Sequence, residues 1–188
     1  MPTSIKNYIS NTIPPVIGKQ TIWIPGYGIN PAVANGAIAG TAETTTNAVN
    51  IRTLNFDATV QEFGQFAILM PKSWNEGTLQ AQFVWSHDTT TTNFGVVWGI
   101  QATAFANGDA LDASWGAQVT VPDTGGTANT IYISDNSPAF TVAGTPGPEE
   151  FVMFRVARNP GDAADTLAVD ARLQGIKLYY TVDAARDD

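Results

Sequence analysis

Residues able to do chemistry are few in this 188-residue chain, and they are scattered. His87 is the single imidazole, and Asp88 follows it directly. Neighbouring residues on a strand point to opposite faces, so Asp88 does not orient His87 for proton transfer. No serine stands in a G-x-S-x-G turn, so the pair also lacks the nucleophile of a triad. His87 therefore reads as a surface histidine between a strand and a Thr-rich loop. The absence of Cys removes thiol nucleophiles, disulfides, zinc fingers and Fe–S clusters together. Gly26-Tyr27-Gly28 lacks the third glycine and following helix of a dinucleotide loop. Gly18-Lys19-Gln20 lacks the upstream glycine and the Ser or Thr of a P-loop.

Carboxylates are the remaining candidates. Asp109 and Asp112 lie beside Asn107-Gly108, and Asp162 and Asp165 beside Gly161. Calcium takes about six to eight oxygen ligands, and neither cluster has the alternating acidic spacing of a calcium loop. Both read as solvated turn acids, and Glu149-Glu150 as the start of a strand after Gly147-Pro148. The chain is thus expected to be no enzyme, with no catalytic residue, no cofactor and no bound metal. Five tryptophans offer stacking surfaces instead. Trp85 and Trp98 stand among apolar strand residues and belong to a core, whereas Trp74 and Trp115 stand beside turns. The last two are the expected surface or interface aromatics.

Nine Lys and Arg against 17 Asp and Glu give a net charge of −8, and charged residues are only 14% of the total. An acidic chain without a basic block is a poor partner for nucleic acid. The N-terminus lacks the charged-then-apolar order of a secretory signal. The longest apolar run, Phe94 to Ala106, is interrupted by Gly99, Gln101 and Thr103 and falls short of the ~18 residues of a membrane span. Neither nucleic acid nor membrane is an expected partner.

The elements that position these residues are short and mostly alternating. Thr21 to Pro25, Val49 to Phe56, Phe63 to Met70, Leu79 to Trp85 and Phe94 to Ala102 read as strands, separated by Gly, Pro, Asn and Thr clusters. Ala117 to Val121, Thr130 to Ile133, Ala139 to Val142, Phe151 to Arg158 and Ile176 to Thr181 continue the series. Only Ala110 to Trp115 and Ala163 to Arg172 could be helical, and the second also alternates like a strand. About nine short strands at turn-marked intervals predict an all-β, jelly-roll-like antiparallel β-sandwich. It spans residues 20–182, between an extended N-terminal arm, 1–19, and a polar tail, 183–188. In the arm, Ile5, Tyr8, Ile9 and Ile13 are the apolar positions ahead of Pro14-Pro15, and they are candidates for docking on a partner. Few lysines guard the strand edges, which favours an oligomer that covers one.

Longer motifs run through the chain: Trp23-Ile24-Pro25, Asn50-Ile51-Arg52-Thr53-Leu54-Asn55-Phe56-Asp57 and Met70-Pro71-Lys72-Ser73-Trp74-Asn75-Glu76-Gly77-Thr78. They continue in Trp98-Gly99-Ile100-Gln101-Ala102, Asp109-Ala110-Leu111-Asp112, Phe154-Arg155-Val156-Ala157-Arg158 and Asp165 to Leu173. In these the chain after residue 20 resembles small virion proteins of tailed bacteriophages and phage-like gene transfer agents. Gly26 departs from that pattern in a loop. The resemblance implies a jelly-roll-like head spike or fibre base, made in the bacterial host cytoplasm and carried on the virion surface. It implies a homo-oligomer, pentamer or trimer, attached to the major capsid protein or another virion structural protein. The alternative is a glycan-recognition module on a tail or head fibre that contacts host surface polysaccharide. The family supplies no catalytic residue.

Overall fold

The computed structural model describes residues 18–89 and 94–183. The docking candidates Ile5, Tyr8, Ile9 and Ile13, and the tail beyond Asp183, lie outside the described residues. Among the described residues eleven strands carry the fold: β1 Lys19–Pro25, β2 Asn30–Pro31, β3 Ile38–Glu43, β4 Asn50–Phe56, β5 Phe63–Leu69 and β6 Gln80–Ser86, then β7 Phe94–Phe105, β8 Val119–Gly125, β9 Tyr132–Ile133, β10 Phe151–Arg158 and β11 Ala171–Thr181. The only helical turn among the described residues is the 3-10 turn Gly26–Gly28.

Two antiparallel sheets face each other. One, sheet A, runs β3-β4-β11-β6-β9, with β1 also on β11; the other, sheet B, runs β2-β5-β10-β7-β8. From β4 onward the pairing is nested: β4 lies on β11, β5 on β10, β6 on β9 and β7 on β8. That is one long hairpin wrapped around itself, the jelly-roll topology of two Greek keys. The fold expected from alternation is therefore the fold observed. The central strands β10 and β11 each have neighbours on both sides, whereas β1, β2, β3, β8 and β9 lie at edges.

Alternation explains what each strand buries. On β10, Val152, Phe154 and Val156 are buried while Phe151, Met153 and Arg155 face outward. The core centres on Trp98, whose ring stacks on Phe83 at 5.4 Å and meets Phe56 edge-on at 5.4 Å. Trp85 closes the cluster at 6.3 Å from Trp98 and donates from Nε1 to Asp123 Oδ2 at 2.7 Å. The core assignment of Trp85 and Trp98 holds, since both are fully buried.

Neither expected helix forms. Residues 110–115 cross the surface without regular structure, because Asp109 Oδ2 accepts from the Ala106 amide and the chain turns at Gly108. Residues 163–170 form an irregular loop that runs straight into β11, so of that stretch only Ala171 and Arg172 join a strand. A buried ion pair governs that loop. Arg158, fully buried at the end of β10, donates from Nη2 to Asp165 Oδ1 at 2.8 Å and from Nε to Oδ2 at 3.0 Å. Its Nη1 reaches Val169 O at 2.7 Å and Phe56 O at 3.3 Å, and its Nη2 also reaches Leu167 O. Asp165 Oδ2 in turn accepts from the Val97 amide at 3.0 Å. Asp165 is thus no solvated turn acid, which corrects the expectation for the Gly161 cluster.

Removing one partner of this pair leaves a buried charge without compensation, at a cost of about 3–5 kcal/mol. Asp165→Ala is expected to lower stability by that amount in chemical denaturation, and Asp162→Ala, which loses only the bond its Oδ1 accepts from Ala164 N in the exposed turn, by about 1 kcal/mol or less. Equal effects would contradict the role given to Arg158.

Candidate functional site

The residues singled out by type end up in three different situations. His87 is fully buried, not on the surface. It follows the last residue of β6, and its ring sits 4.6 Å from Phe94, 5.7 Å from Tyr132 and 6.0 Å from Trp85. Among the described residues neither ring nitrogen finds a hydrogen-bond partner. Burial lowers the imidazole pKa below its ordinary value, against the nearby Thr89 backbone and the Asp88 carboxylate, which pull the other way. Asp88 faces outward and pairs with Arg172 Nη2 at 2.5 Å. His87 is a core residue, enclosed by the sheet interior.

Trp74 is also misread by its neighbourhood in sequence. It is 1% exposed, because the Pro71–Trp74 turn folds back to bridge Trp74 to Val182 and to bond Asn75 N to Thr181 O at 3.0 Å. The indole plugs one end of the sandwich and cannot serve as a surface aromatic. Trp115 is half-buried and lies over sheet B, where the Arg155 guanidinium is 5.0 Å from its ring and 4.6 Å from the Phe63 ring. With its amide oxygen turned to Arg155, Gln101 accepts from Nε at 2.7 Å and from Nη2. Burial lowers the Arg155 pKa, yet a guanidinium stays charged in this setting. Beside it opens a cavity of about 610 Å³ bounded by β2, β5 and β10. The acids stay apart: among the described residues no three His, Asp or Glu converge on a metal position.

The best-built exposed group is on the outer face of sheet A, around a tryptophan the sequence left without a role. Trp23 in β1 is 52% exposed, and its ring lies directly over Gly175 of β11. Any Cβ at 175 would collide with the indole, so glycine lets the ring rest on backbone. Lys177 and Gln82 stand in register beside Trp23, and Tyr179 and Gln80 beside Thr21. Lys177 Nζ sits 4.9 Å from the Tyr179 ring centroid, and Tyr179 Oη bonds Gln82 Oε1 at 3.2 Å. Gln82 Nε2 donates to Ser134 O at 2.8 Å and Gln80 Nε2 to Ser137 O at 3.0 Å, so both amides are anchored from the segment after β9. Lys19 Nζ donates to Gln80 Oε1. Val84 and Ile133 extend the apolar lane from Gly175. The result is a flat, solvent-facing platform of one indole, one phenol, two amides and two cations. Such a set binds by stacking and hydrogen bonding and has no group placed to abstract a proton. Register across β1, β11 and β6 assembles it.

His87 yields a test of the buried assignment. Above pH ~6.5 the imidazole is neutral in both states; below it the unfolded chain takes up a proton that the folded site resists. Stability is therefore lost as pH falls from about 6.5, by at most about 1.4 kcal/mol per pH unit. His87→Phe is expected to flatten this dependence between pH 6.5 and 5 in urea unfolding. Parallel wild-type and variant curves would show the imidazole to be solvated.

No protein-family model and no curated protein matches the chain. Among solved structures, it is similar to the CBM22-2 xylan-binding domain from Paenibacillus barcinonensis, with 8% identity, a TM-score of 0.46 and coverage of 85% of this chain and 98% of that one. It is similar to a family 11 carbohydrate-binding module from Clostridium thermocellum in complex with a β-1,3-1,4-mixed-linked tetrasaccharide, at 10% identity, TM-score 0.45 and coverage of 88% and 97%. A chain of infectious bursal disease virus, Gx strain, matches at 9% identity and TM-score 0.34, over 87% of this chain and 32% of that one. No helix of the described residues is long and apolar enough to cross a membrane.

Proposed function

We propose that the chain is a non-enzymatic structural subunit of a phage virion, a capsid-attached head spike or fibre base that assembles as a homo-oligomer. The observation that carries this reading is the open edge of sheet A. Strand β3 pairs with β4 on one side and with no strand on the other among the described residues. The other edges are blunted: β1 begins at Lys19 and ends at Pro25, β2 ends at Pro31, β8 contains Pro122, and β9 has two residues. Strand β3, Ile38-Ala39-Gly40-Thr41-Ala42-Glu43, has neither Pro nor Lys, and Ile38 is exposed. Unpaired amides and carbonyls on such a strand are a template for another chain, and a second copy supplies the matching edge. The chemistry-bearing side chains Arg158, Asp165 and His87 are meanwhile enclosed in the fold, which supports an assembly role over a catalytic one.

Light scattering is expected to give a discrete trimer or pentamer at micromolar concentration. Ala39→Lys with Thr41→Lys, both at exposed positions, is expected to give a folded monomer. A wild-type chain that is monomeric at high micromolar concentration defeats the assembly reading. An antibody to the chain that fails to decorate intact particles defeats the virion assignment.

A second reading, glycan recognition on a head or tail fibre, is favoured by the Trp23 platform. Lys19 and Lys177 on that face suit a polysaccharide carrying carboxylate or phosphate groups, on a chain whose net charge is −8. In pull-down with host surface polysaccharide, Trp23→Ala is expected to abolish retention. Gly175→Ala, which evicts the ring, is expected to weaken it at least about tenfold, or 1.4 kcal/mol. Full retention by Trp23→Ala would rule the platform out.

A further inference from the structure

On the outer face of sheet B, Leu69, Phe151 and Phe105 stand side by side in register across β5, β10 and β7. Leu69 is 68% exposed and Phe151 41%, and the Phe105 and Phe151 rings are 6.3 Å apart. Met153 and Ala67 form the next row inward, before the polar Arg155 row begins. A contiguous apolar row at the end of a sheet face is the kind of surface that soluble chains keep covered.

The described chain starts at Gly18, at this same end of the molecule. Gly18 O accepts from Val182 N at 3.1 Å, Val182 bridges Trp74, and Asp183 N bonds Ser73 O at 3.1 Å. From Ser73 the chain leads back through Pro71 and Met70 to Leu69. Gly18 is thus tied, through Val182 and Asp183, to the Met70–Trp74 segment that follows Leu69. Six extended residues, Ile13 to Gly18, reach about 20 Å, and the whole segment nearly three times that. The segment has Ile5, Tyr8, Ile9 and Ile13 as apolar positions at spacings of three, one and four. Its only charged side chain is the cationic Lys6, whereas Glu149 and Glu150 stand just before Phe151. Reach, apolar pattern and charge sign agree.

We propose that the chain's own N-terminal segment covers the Leu69–Phe151–Phe105 row in the free subunit, with Ile5, Tyr8, Ile9 and Ile13 against it. The wild-type chain contains no Cys, so an introduced pair reports proximity without competition. Full-length protein carrying Ile9→Cys and Leu69→Cys, oxidised at low concentration, is expected to close an intramolecular disulfide. Its yield should exceed at least fivefold that of Ile9→Cys with Ile133→Cys, which lies on the opposite sheet. Equal yields for the two pairs, or bonds formed only between molecules, overturn the proposal; the latter would mean that a neighbouring copy supplies the segment. As a second measurement, Ile5→Ser, Ile9→Ser and Ile13→Ser together, in the full chain, are expected to raise binding of a hydrophobic dye several-fold. Adding Leu69→Ser and Phe151→Ser should reverse most of that rise. Unchanged dye binding in the triple variant also overturns the proposal.

Discussion

The pairing of Arg158 with Asp165 is the constraint on which the rest of the sandwich depends. One guanidinium at the end of β10 holds the carbonyls of Phe56, Leu167 and Val169 and the carboxylate of Asp165, which itself holds Val97 at the start of β7. Strand β4 belongs to sheet A, β7 and β10 to sheet B, and the 159–170 loop leads into β11. A single buried cation therefore joins both sheets and the crossover between them. A buried ion pair is a weak source of net stability, but every alternative packing that separates its members is costly. Its value here is specification of which loop closes that end of the sandwich.

The sheets were legible because alternation is a local signal. The strand at Gln80 to Ser86 shows its burial pattern in its own residues, with Ala81, Phe83 and Trp85 buried and Gln80 and Gln82 on the other face. Trp85 and Trp98 were legible for the same reason, since apolar neighbours on a strand mark a buried face. Trp74, His87 and Asp165 were not. Each stands beside turn residues and is buried by something distant in sequence: Val182 for Trp74, Tyr132 for His87, Arg158 held against Phe56 for Asp165. Local polarity reports the turn and says nothing about what later covers it. Trp23 was left without a role, because what makes it a site is Gly175 of β11, which lets the indole rest on backbone, and no pattern within β1 encodes that partner.

The two outer faces differ in chemistry from each other and from the interior. Sheet A presents anchored amides, cations and the Trp23 indole, all held by register and by the segment after β9. Sheet B presents a cation clamped between Phe63 and Trp115, then an apolar row. Neither face holds an acid and a base within reach of one another among the residues named above, and the lone imidazole is sealed in the core. Rigid scaffolds with recognition groups on their faces suit binding and assembly. The weakly charged composition first read as a set of absences matches this division, since most of the surface is Thr, Asn, Gln and small residues.

The nested pairing has a consequence for how the chain is made. Strand β11 ends at Thr181 and is the central strand of sheet A, bonded to β1, β4 and β6. Until it leaves the ribosome, those three strands lack their common neighbour, although they were synthesised long before. The loops that must close are among the longest the chain allows, which places most of the ordering cost ahead of the contacts that reward it. Completion of sheet A therefore waits for the synthesis of β11, and a product cut short before Ala171 leaves β1 without its partner and β4 and β6 each open on one side. For a chain with an open edge at β3, that interval is also the period of greatest exposure to mispairing. The order of strands along the chain thus sets how late the fold can close.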